Sequence, residues 1–274
     1  MPKISLVINT KNEEAFIEDC ILSAKNIVDE IVVVDMHSTD KTVEIAKGLG
    51  AVIFYFDDCS YVEPARNFAI QKASNQWVLL LDADERLTPQ LSQLLATIAG
   101  ENKYDSVKIP RKNIHFGKWT KHTGWWPDHQ LRFFQRSKVN WGSQIHNVPE
   151  FPDNYFTIPA KEDLSILHYN FRSIDQLVAK ITEYTRHENN LTLEKVAQAE
   201  NFINYFEGEF NNRFFLEKGY KDGFHGFMLS KFMEFYRFLE VARLWEKNNY
   251  QEITDVERLK EIKVGPNPLL ANEN

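Results

Sequence analysis

Apolar positions in the first hundred residues alternate between two spacings. Ile4 to Asn9 is an apolar run with the length of a buried strand, whereas Phe16, Ile17, Cys20, Ile21 and Ala24, within Glu14 to Lys25, fall at helical spacing. Glu30 to Asp35 is a second, β-branched strand. Ser38-Thr39-Asp40 supplies N-cap chemistry for a helix from Lys41 to Gly48, which Gly48 and Gly50 stop. Ala51 to Phe56 reads as a third strand, Pro64 fits the first turn of a helix to Ala73, and Trp77 to Leu81 is a fourth strand. Thr88-Pro89 then opens a helix through Ile98. Continuous apolar strands separated by helices predict an α/β fold, a mainly parallel sheet with helices on both faces.

Tyr104 to Pro110 predicts one more strand, after which the rhythm is lost. Arg111 to Trp141 is rich in Trp, His, Arg and Gly without a clean period, and Val148 to Pro159 holds three prolines. Long irregular segments of this kind read as binding loops or lids. From Ser173 the pattern is helical, over Ser173 to Asn190, Leu193 to Phe206 and Phe224 to Trp245. In the last of these, Phe224, Phe227, Met228, Phe232, Phe235, Tyr236 and Leu239 form an apolar stripe, and Lys231, Glu234, Arg237 and Glu240 lie on another face.

Composition narrows the class. With 274 residues, 43% of them hydrophobic, the chain has ample core for one large α/β domain with an appendage. Its formal charge of −7 argues against a nucleic-acid partner, since affinity for a phosphate backbone comes from Lys and Arg. Cys20 and Cys59 show neither metal-ligand spacing nor a disulfide framework, as expected in a reducing compartment. Met1-Pro2-Lys3 leads directly into the first strand, leaving no room for a signal peptide, and no apolar run approaches the roughly 18 residues of a membrane span. The expectation is a cytoplasmic protein. Aromatic residues reach 13%, and many follow Trp119, where they suit sugar, lipid or protein contacts or a Phe-rich core.

In open α/β sheets, ligands bind beyond the carboxyl ends of the strands. Those ends carry Thr10-Lys11-Asn12-Glu13, Asp35, Asp57-Asp58 and Asp82-Ala83-Asp84. Two carboxylates at the tip of a buried strand suit a hard divalent cation such as Mg²⁺ or Mn²⁺, which takes oxygen ligands and shares them with substrate phosphates. The chain has no Gly-x-x-x-x-Gly-Lys-Ser/Thr loop and no Gly-x-Gly-x-x-Gly after the first strand. Phosphates are therefore expected on a metal and side chains rather than in a glycine-rich nest.

The ordered set Ile4-Ser5-Leu6-Val7-Ile8-Asn9-Thr10-Lys11-Asn12-Glu13, Val32-Val33-Val34-Asp35, Ser38-Thr39-Asp40-Lys41-Thr42, Ala65-Arg66-Asn67 and Leu81-Asp82-Ala83-Asp84-Glu85 resembles the family-2 glycosyltransferases of the GT-A fold. Trp125-Trp126-Pro127-Asp128-x-Gln130-x-Arg132 and Gln144-Ile145-His146 resemble a bacterial branch that includes lipopolysaccharide-core glucosyltransferases. The resemblance implies that Thr10, Asn12, Glu13, Asp35 and Asp40 line a base and ribose pocket, with Arg66, Asn67 and Ala83 near the nucleotide. It further implies that Asp82 faces ribose or metal, that Asp84 ligates the metal, and that Asp128 is the catalytic base. Asp40 also reads as a helix cap, Glu13 as a macrodipole partner, Arg66 as a solvated helix residue, and Asp128 as an ion-pair partner of Arg132. His146 reads equally as a metal ligand, a phosphate donor or a core histidine, and His115, His122, His129 and His168 as structural. Trp125 and Trp126 are expected to stack on acceptor sugars, shape a lid or plug the core, and Gln130 and Arg132 to contact acceptor or phosphate.

The implied protein is an inverting glycosyltransferase that uses Mn²⁺ or Mg²⁺ and a nucleoside-diphosphate sugar, UDP first among them. Its acceptor is a hydroxyl of a cell-surface glycan or glycolipid intermediate. A nucleotidyltransferase that makes sugar nucleotides is the second class, against which the glycine-free Thr10-Lys11-Asn12-Glu13 speaks; a nucleotide- or glycan-binding scaffold is the third. The expected organisation is a catalytic domain over residues 1–172, divided into a nucleotide-binding half (1–100) and an acceptor-binding half (101–172). A helical extension over 173–264 and a tail over 265–274 follow. Within it, the Phe224 to Trp245 helix is expected to pack on the catalytic domain, form a homodimer seam or touch lipid, its mixed charges favouring the first two over an anionic membrane surface. A lipid-linked acceptor would require only transient contact at the inner face of the membrane.

Overall fold

A computed structural model of the chain describes residues 2–57, 63–141, 149–187 and 199–249. Its centre is a seven-stranded sheet in the order β10-β6-β9-β4-β1-β2-β3. β1 (Ile4–Thr10) lies parallel to β2 (Glu30–Asp35) on one side and to β4 (Trp77–Asp82) on the other, and β3 (Val52–Tyr55) extends the parallel set. Along these strands the side chains alternate between two cores. Leu6, Ile8, Val33, Leu79 and Leu81 point to the face covered by α1 (Ile17–Ala24), α2 (Thr42–Gly48) and α4 (Pro89–Glu101). Val7, Val32, Val34, Val78 and Leu80 point to the other, where α3 (Glu63–Lys72) packs through Ala69 and Ile70. Burial on both faces explains why β1 and β4 read as unbroken apolar runs. α4 begins at Pro89 behind Thr88, whose hydroxyl accepts the Leu91 N–H, and ends at Asn102 in the left-handed region.

The segment after Pro110 is more ordered than its sequence predicts. β9 (Gln130–Gln135) inserts antiparallel between β4 and β6 (Ser106–Ile109), and β10 (Tyr155–Thr157) adds the outer edge. A second, four-stranded sheet runs in the order β5-β11-β7-β8. It comprises β5 (Glu85–Leu87), β7 (Arg111–His115), β8 (Lys118–Trp119) and β11 (Ile166–Phe171). These strands escape apolar periodicity because their buried positions include Glu85, Asn113, His115, His168 and Asn170. Arg132 does the same to β9. Charged and amide groups stand where a strand pattern calls for Val or Leu, and their mutual pairing permits it.

Beyond β11 the described chain is helical. α5 (Ile174–His187), α6 (Ala199–Asn211), a turn of π-helix (Asn212–Leu216) and α7 (Phe224–Asn249) follow. Part of the expected Leu193 to Phe206 helix lies outside the described residues, as does the 265–274 tail. Leu177, Ile181, Leu229 and Tyr236 form a third core with Phe171, against which Phe116 and Trp125 pack. Trp125 is thus a plug between the second sheet and the helices. Gly226 lies so close to the backbone of Gly219 that an added Cβ would sit 1.9 Å from the Gly219 carbonyl oxygen. Among the described residues, no helix is long and apolar enough to cross a membrane.

Candidate active site

β4 ends at Asp82 and β5 starts at Glu85, so three carboxylates, Asp82, Asp84 and Glu85, stand within one tight turn. They divide the work. Asp82 takes Arg66 from α3 at 3.1 Å and Arg132 from β9. Glu85, fully buried, takes Arg132 at 2.9 Å and Arg111 from β7 at 3.0 Å, and its Oε2 accepts the Asp82 N–H at 3.1 Å. Burial works to raise the Asp82 pKa, but the Arg132 and Arg66 guanidinium groups outweigh it and hold the carboxyl well below the usual carboxylate range. A pKa lowered by folding contributes stability above the unfolded value of about 4, and that stability is lost as pH falls through the folded value. Glu85→Ala is expected to strip Arg111 and Arg132 of a shared buried counter-ion and to destabilise the fold by about 3–5 kcal/mol in urea unfolding. A loss under about 1 kcal/mol would show the network to be dispensable.

Arg132 is 2% exposed and braces Asp82 and Glu85 through its Nη2, while its buried Nε has no hydrogen-bond partner among the described residues. Asp128 pairs with Arg111 rather than Arg132.

Asp84 faces a different neighbour. The His168 Nε2 lies 3.6 Å from Asp84 Oδ2, and the His168 Nδ1 lies 2.6 Å from Asn113 Oδ1. The Asn113 amide nitrogen donates to the Trp125 carbonyl at 3.0 Å and to Asp128 Oδ2 at 2.8 Å, which fixes the amide with its oxygen toward the imidazole. Nδ1 must then carry the proton, and in the neutral imidazole Nε2 presents a lone pair to the Asp84 carboxylate. Two acceptors facing each other call for a cation, a proton or a metal. Oxygen and imidazole nitrogen both suit Mn²⁺, and a bound divalent ion commonly completes its shell with substrate phosphates and water. Among the described residues, no group of three or more His, Cys, Asp or Glu gathers for a metal. Burial raises the Asp84 carboxyl; a proton shared with His168 in that gap more than offsets it and leaves the pKa lowered.

Asp128 completes the chain of contacts Asp84–His168–Asn113–Asp128. Its Oδ2 accepts from Arg111 Nε and from Asn113, each at 2.8 Å, and its Oδ1 accepts from Gln130 at 2.7 Å. Gln130 thus holds Asp128. The backbone at Asp128 has φ 28, a conformation L side chains rarely adopt and one that concentrates at functional sites. Asp128 follows Trp125, Trp126 and Pro127; the half-buried Trp126 meets Trp119 edge-on at 5.4 Å.

The predicted base-and-ribose residues gather on two adjoining loops. Asp35, fully buried beside Thr10, accepts the N–H and hydroxyl of Ser38. Asn12, with φ 54, accepts the Thr39 N–H at 2.7 Å. Asp40 accepts from the backbone N–H groups of Glu14 and Thr42, each at 3.0 Å, so it stitches the loops together and takes the first N–H of α2 from a position just before the Lys41 cap. Glu13 stands 3.6 Å from Arg172; burial and then the Asp84 charge raise its pKa. Asn67 clamps both backbone polar groups of Trp141, and Ala83 turns its methyl into the first core. His146 lies outside the described residues.

Glu85, Arg111, Asn113 and His168 are not singled out by apolar patterning. Their signal is a polar period of two: Arg111, Asn113 and His115 alternate along β7, His168 and Asn170 along β11, and Asn113 is the register partner of His168. His115 is neutral, its pKa pushed down to about 3 chiefly by burial, and it contacts Thr120 at 3.0 Å.

The profile of the family described as Glycosyl transferase family 2 matches residues 5–151. An uncharacterized glycosyltransferase of Rickettsia bellii is 31% identical over 267 residues, covering 89% of this chain and 86% of the relative. Another from Rickettsia felis is 32% identical, covering 90% of each. The glycosyltransferase SunS of Bacillus subtilis is 27% identical over 70% of this chain and 45% of its own. Among solved structures, glucosyl-3-phosphoglycerate synthase of Mycobacterium tuberculosis, in complex with Mn²⁺, UDP and phosphoglyceric acid, aligns with TM-score 0.46 at 19% identity. That alignment covers 65% of this chain and 74% of the synthase. A family profile over more than half the chain, with relatives above 30% identity along most of its length, makes this protein a member of glycosyltransferase family 2.

Proposed function

We propose that this glycosyltransferase is inverting and metal-dependent, and moves a sugar from a nucleoside diphosphate, UDP first among candidates, to an acceptor hydroxyl on a glycan or glycolipid. The observation that carries the reading is the facing pair Asp84 Oδ2 and His168 Nε2, tied through Asn113 to the ionised Asp128. A divalent cation held by Asp84 and His168 would act as a Lewis acid for charge growing on the departing diphosphate. The rest falls to side chains. Asp128 accepts the proton of the attacking hydroxyl while the anomeric carbon passes through an oxocarbenium-like state, and attack opposite the leaving group inverts that carbon. Among the described residues Oδ1 has one donor, Gln130, and so keeps a lone pair for that proton. Glu13, Asn12 and Asp40 shape the rim for ribose and base. Asp82 keeps Arg66 and Arg132 in place, so its part in the site is to hold the turn from which Asp84 projects.

A thermal-shift panel of UDP-, GDP- and CDP-sugars, each with and without Mn²⁺, tests the donor half. A ligand at a hundredfold excess over Kd stabilises the fold by about 2.7 kcal/mol. One nucleotide is expected to raise the melting temperature only when Mn²⁺ is present. The absence of any shift across the panel would instead favour a scaffold.

A further inference from the structure

We infer that the turn between α6 and α7 is a membrane-interface anchor that inserts apolar side chains among anionic phospholipid headgroups. Leu216 and Phe224 are each 74% exposed, with Phe215 and Tyr220 at least half exposed beside them. The rings are continuous: Phe215 meets Phe214 at 5.2 Å, Phe214 meets Phe227 at 5.8 Å, and Phe227 meets Phe224 at 6.2 Å. A contiguous apolar projection of this kind marks a surface made for contact.

Charge selects the partner. Over residues 211–231 the chain carries four Lys or Arg against two Asp or Glu, on a protein whose net charge is −7. Arg213 and Lys231 are paired with Glu209 and Glu234, and Asp222 is buried against His122. That leaves Lys218 and Lys221 exposed at the apolar tip, with Glu217 as the one exposed carboxylate among these residues and Lys118 alongside. Two copies meeting tip to tip would set these lysines against each other, whereas an anionic lipid surface attracts them. Exposed Phe, Leu and Tyr flanked by Lys is the chemistry of an interfacial segment that lies on a bilayer.

The anchor is rigidly joined to the loop that carries Asp128. Arg213 donates to the Thr123 carbonyl at 2.8 Å, the Thr123 N–H to the Glu217 carbonyl at 3.1 Å, and the His122 N–H to Asp222 at 2.8 Å. A surface bound at the tip therefore stands in fixed relation to the acceptor side of the site.

The test is co-sedimentation of the full chain with vesicles of phosphatidylcholine alone or mixed with phosphatidylglycerol, and it does not depend on the transferase reading. The wild type is expected to pellet with the mixed vesicles and not with phosphatidylcholine alone. Leu216→Ser/Phe224→Ser is expected to stay in solution, and Lys218→Gln/Lys221→Gln to lose about fivefold in partitioning for each lysine. Unchanged melting curves and nucleotide shifts would show that both variants keep fold and donor site. A wild type that ignores mixed vesicles, or an apolar variant that still pellets, overturns the inference. So does velocity sedimentation showing a dimer that Leu216→Ser/Phe224→Ser dissolves, since the face would then be a seam between copies.

Discussion

Asp84→Asn is expected to abolish metal-dependent nucleotide binding and to lower kcat/KM about a thousandfold or more, with little effect on the melting temperature. The size follows from removing an anionic ligand where several kcal/mol of transition-state charge is stabilised, each 1.36 kcal/mol being tenfold. The fold survives because the new amide nitrogen can donate to the lone pair of His168 Nε2, 3.6 Å from the carboxylate oxygen it replaces. The Asp84 backbone carbonyl keeps the Tyr169 N–H at 3.0 Å in either case. Calorimetric titration of Mn²⁺ and UDP into the variant reads the effect directly. Asp82→Asn separates position from charge: it loosens Arg66 and Arg132 and is expected to lower stability first. Normal turnover in Asp84→Asn would remove the metal from that carboxylate.

The parallel half of the fold was legible because one physical constraint wrote it. Strands buried on both faces must be apolar throughout, and their helices must present one apolar stripe, so Ile4 to Leu81 announces itself by spacing. The half that builds the active site obeys another constraint. β7, β9 and β11 are buried too, but beside apolar residues such as Phe133 and Ile166 they bury Asn113, Arg132, His168 and Asn170, polar groups stabilised by their partners rather than by hydrophobic transfer. A polarity pattern treats such residues as surface, and so Arg132 reads as a contact for acceptor or phosphate and His168 as structural. The motif Asp82-Ala83-Asp84-Glu85 was visible, but the division of labour among its carboxylates was not. Which of them faces a guanidinium and which an imidazole depends on strands more than twenty residues downstream and, for Arg66, on the helix before the motif.

Asp128→Asn is expected to keep nucleotide affinity within about twofold while kcat falls about 10²–10⁴-fold, the contribution of a positioned general base. The amide retains an oxygen for Arg111 and Asn113, and Arg111 keeps Glu85 at 3.0 Å as its second anion, so the loop stays in place. The pH profile adds a sign. Burial raises the Asp128 carboxyl, but Arg111, with Asn113 and Gln130 donating, outweighs it and holds the pKa below the ordinary value. The base is therefore ionised throughout the neutral range, and kcat/KM is expected to show no acid limb from Asp128 above about pH 5. Arg111→Gln removes the charge that depresses it, so the acid limb is expected to move to higher pH, a shift that a merely structural loop would not produce. Parallel loss of nucleotide binding and turnover in Asp128→Asn would make Asp128 a loop brace, and full turnover would move the base elsewhere.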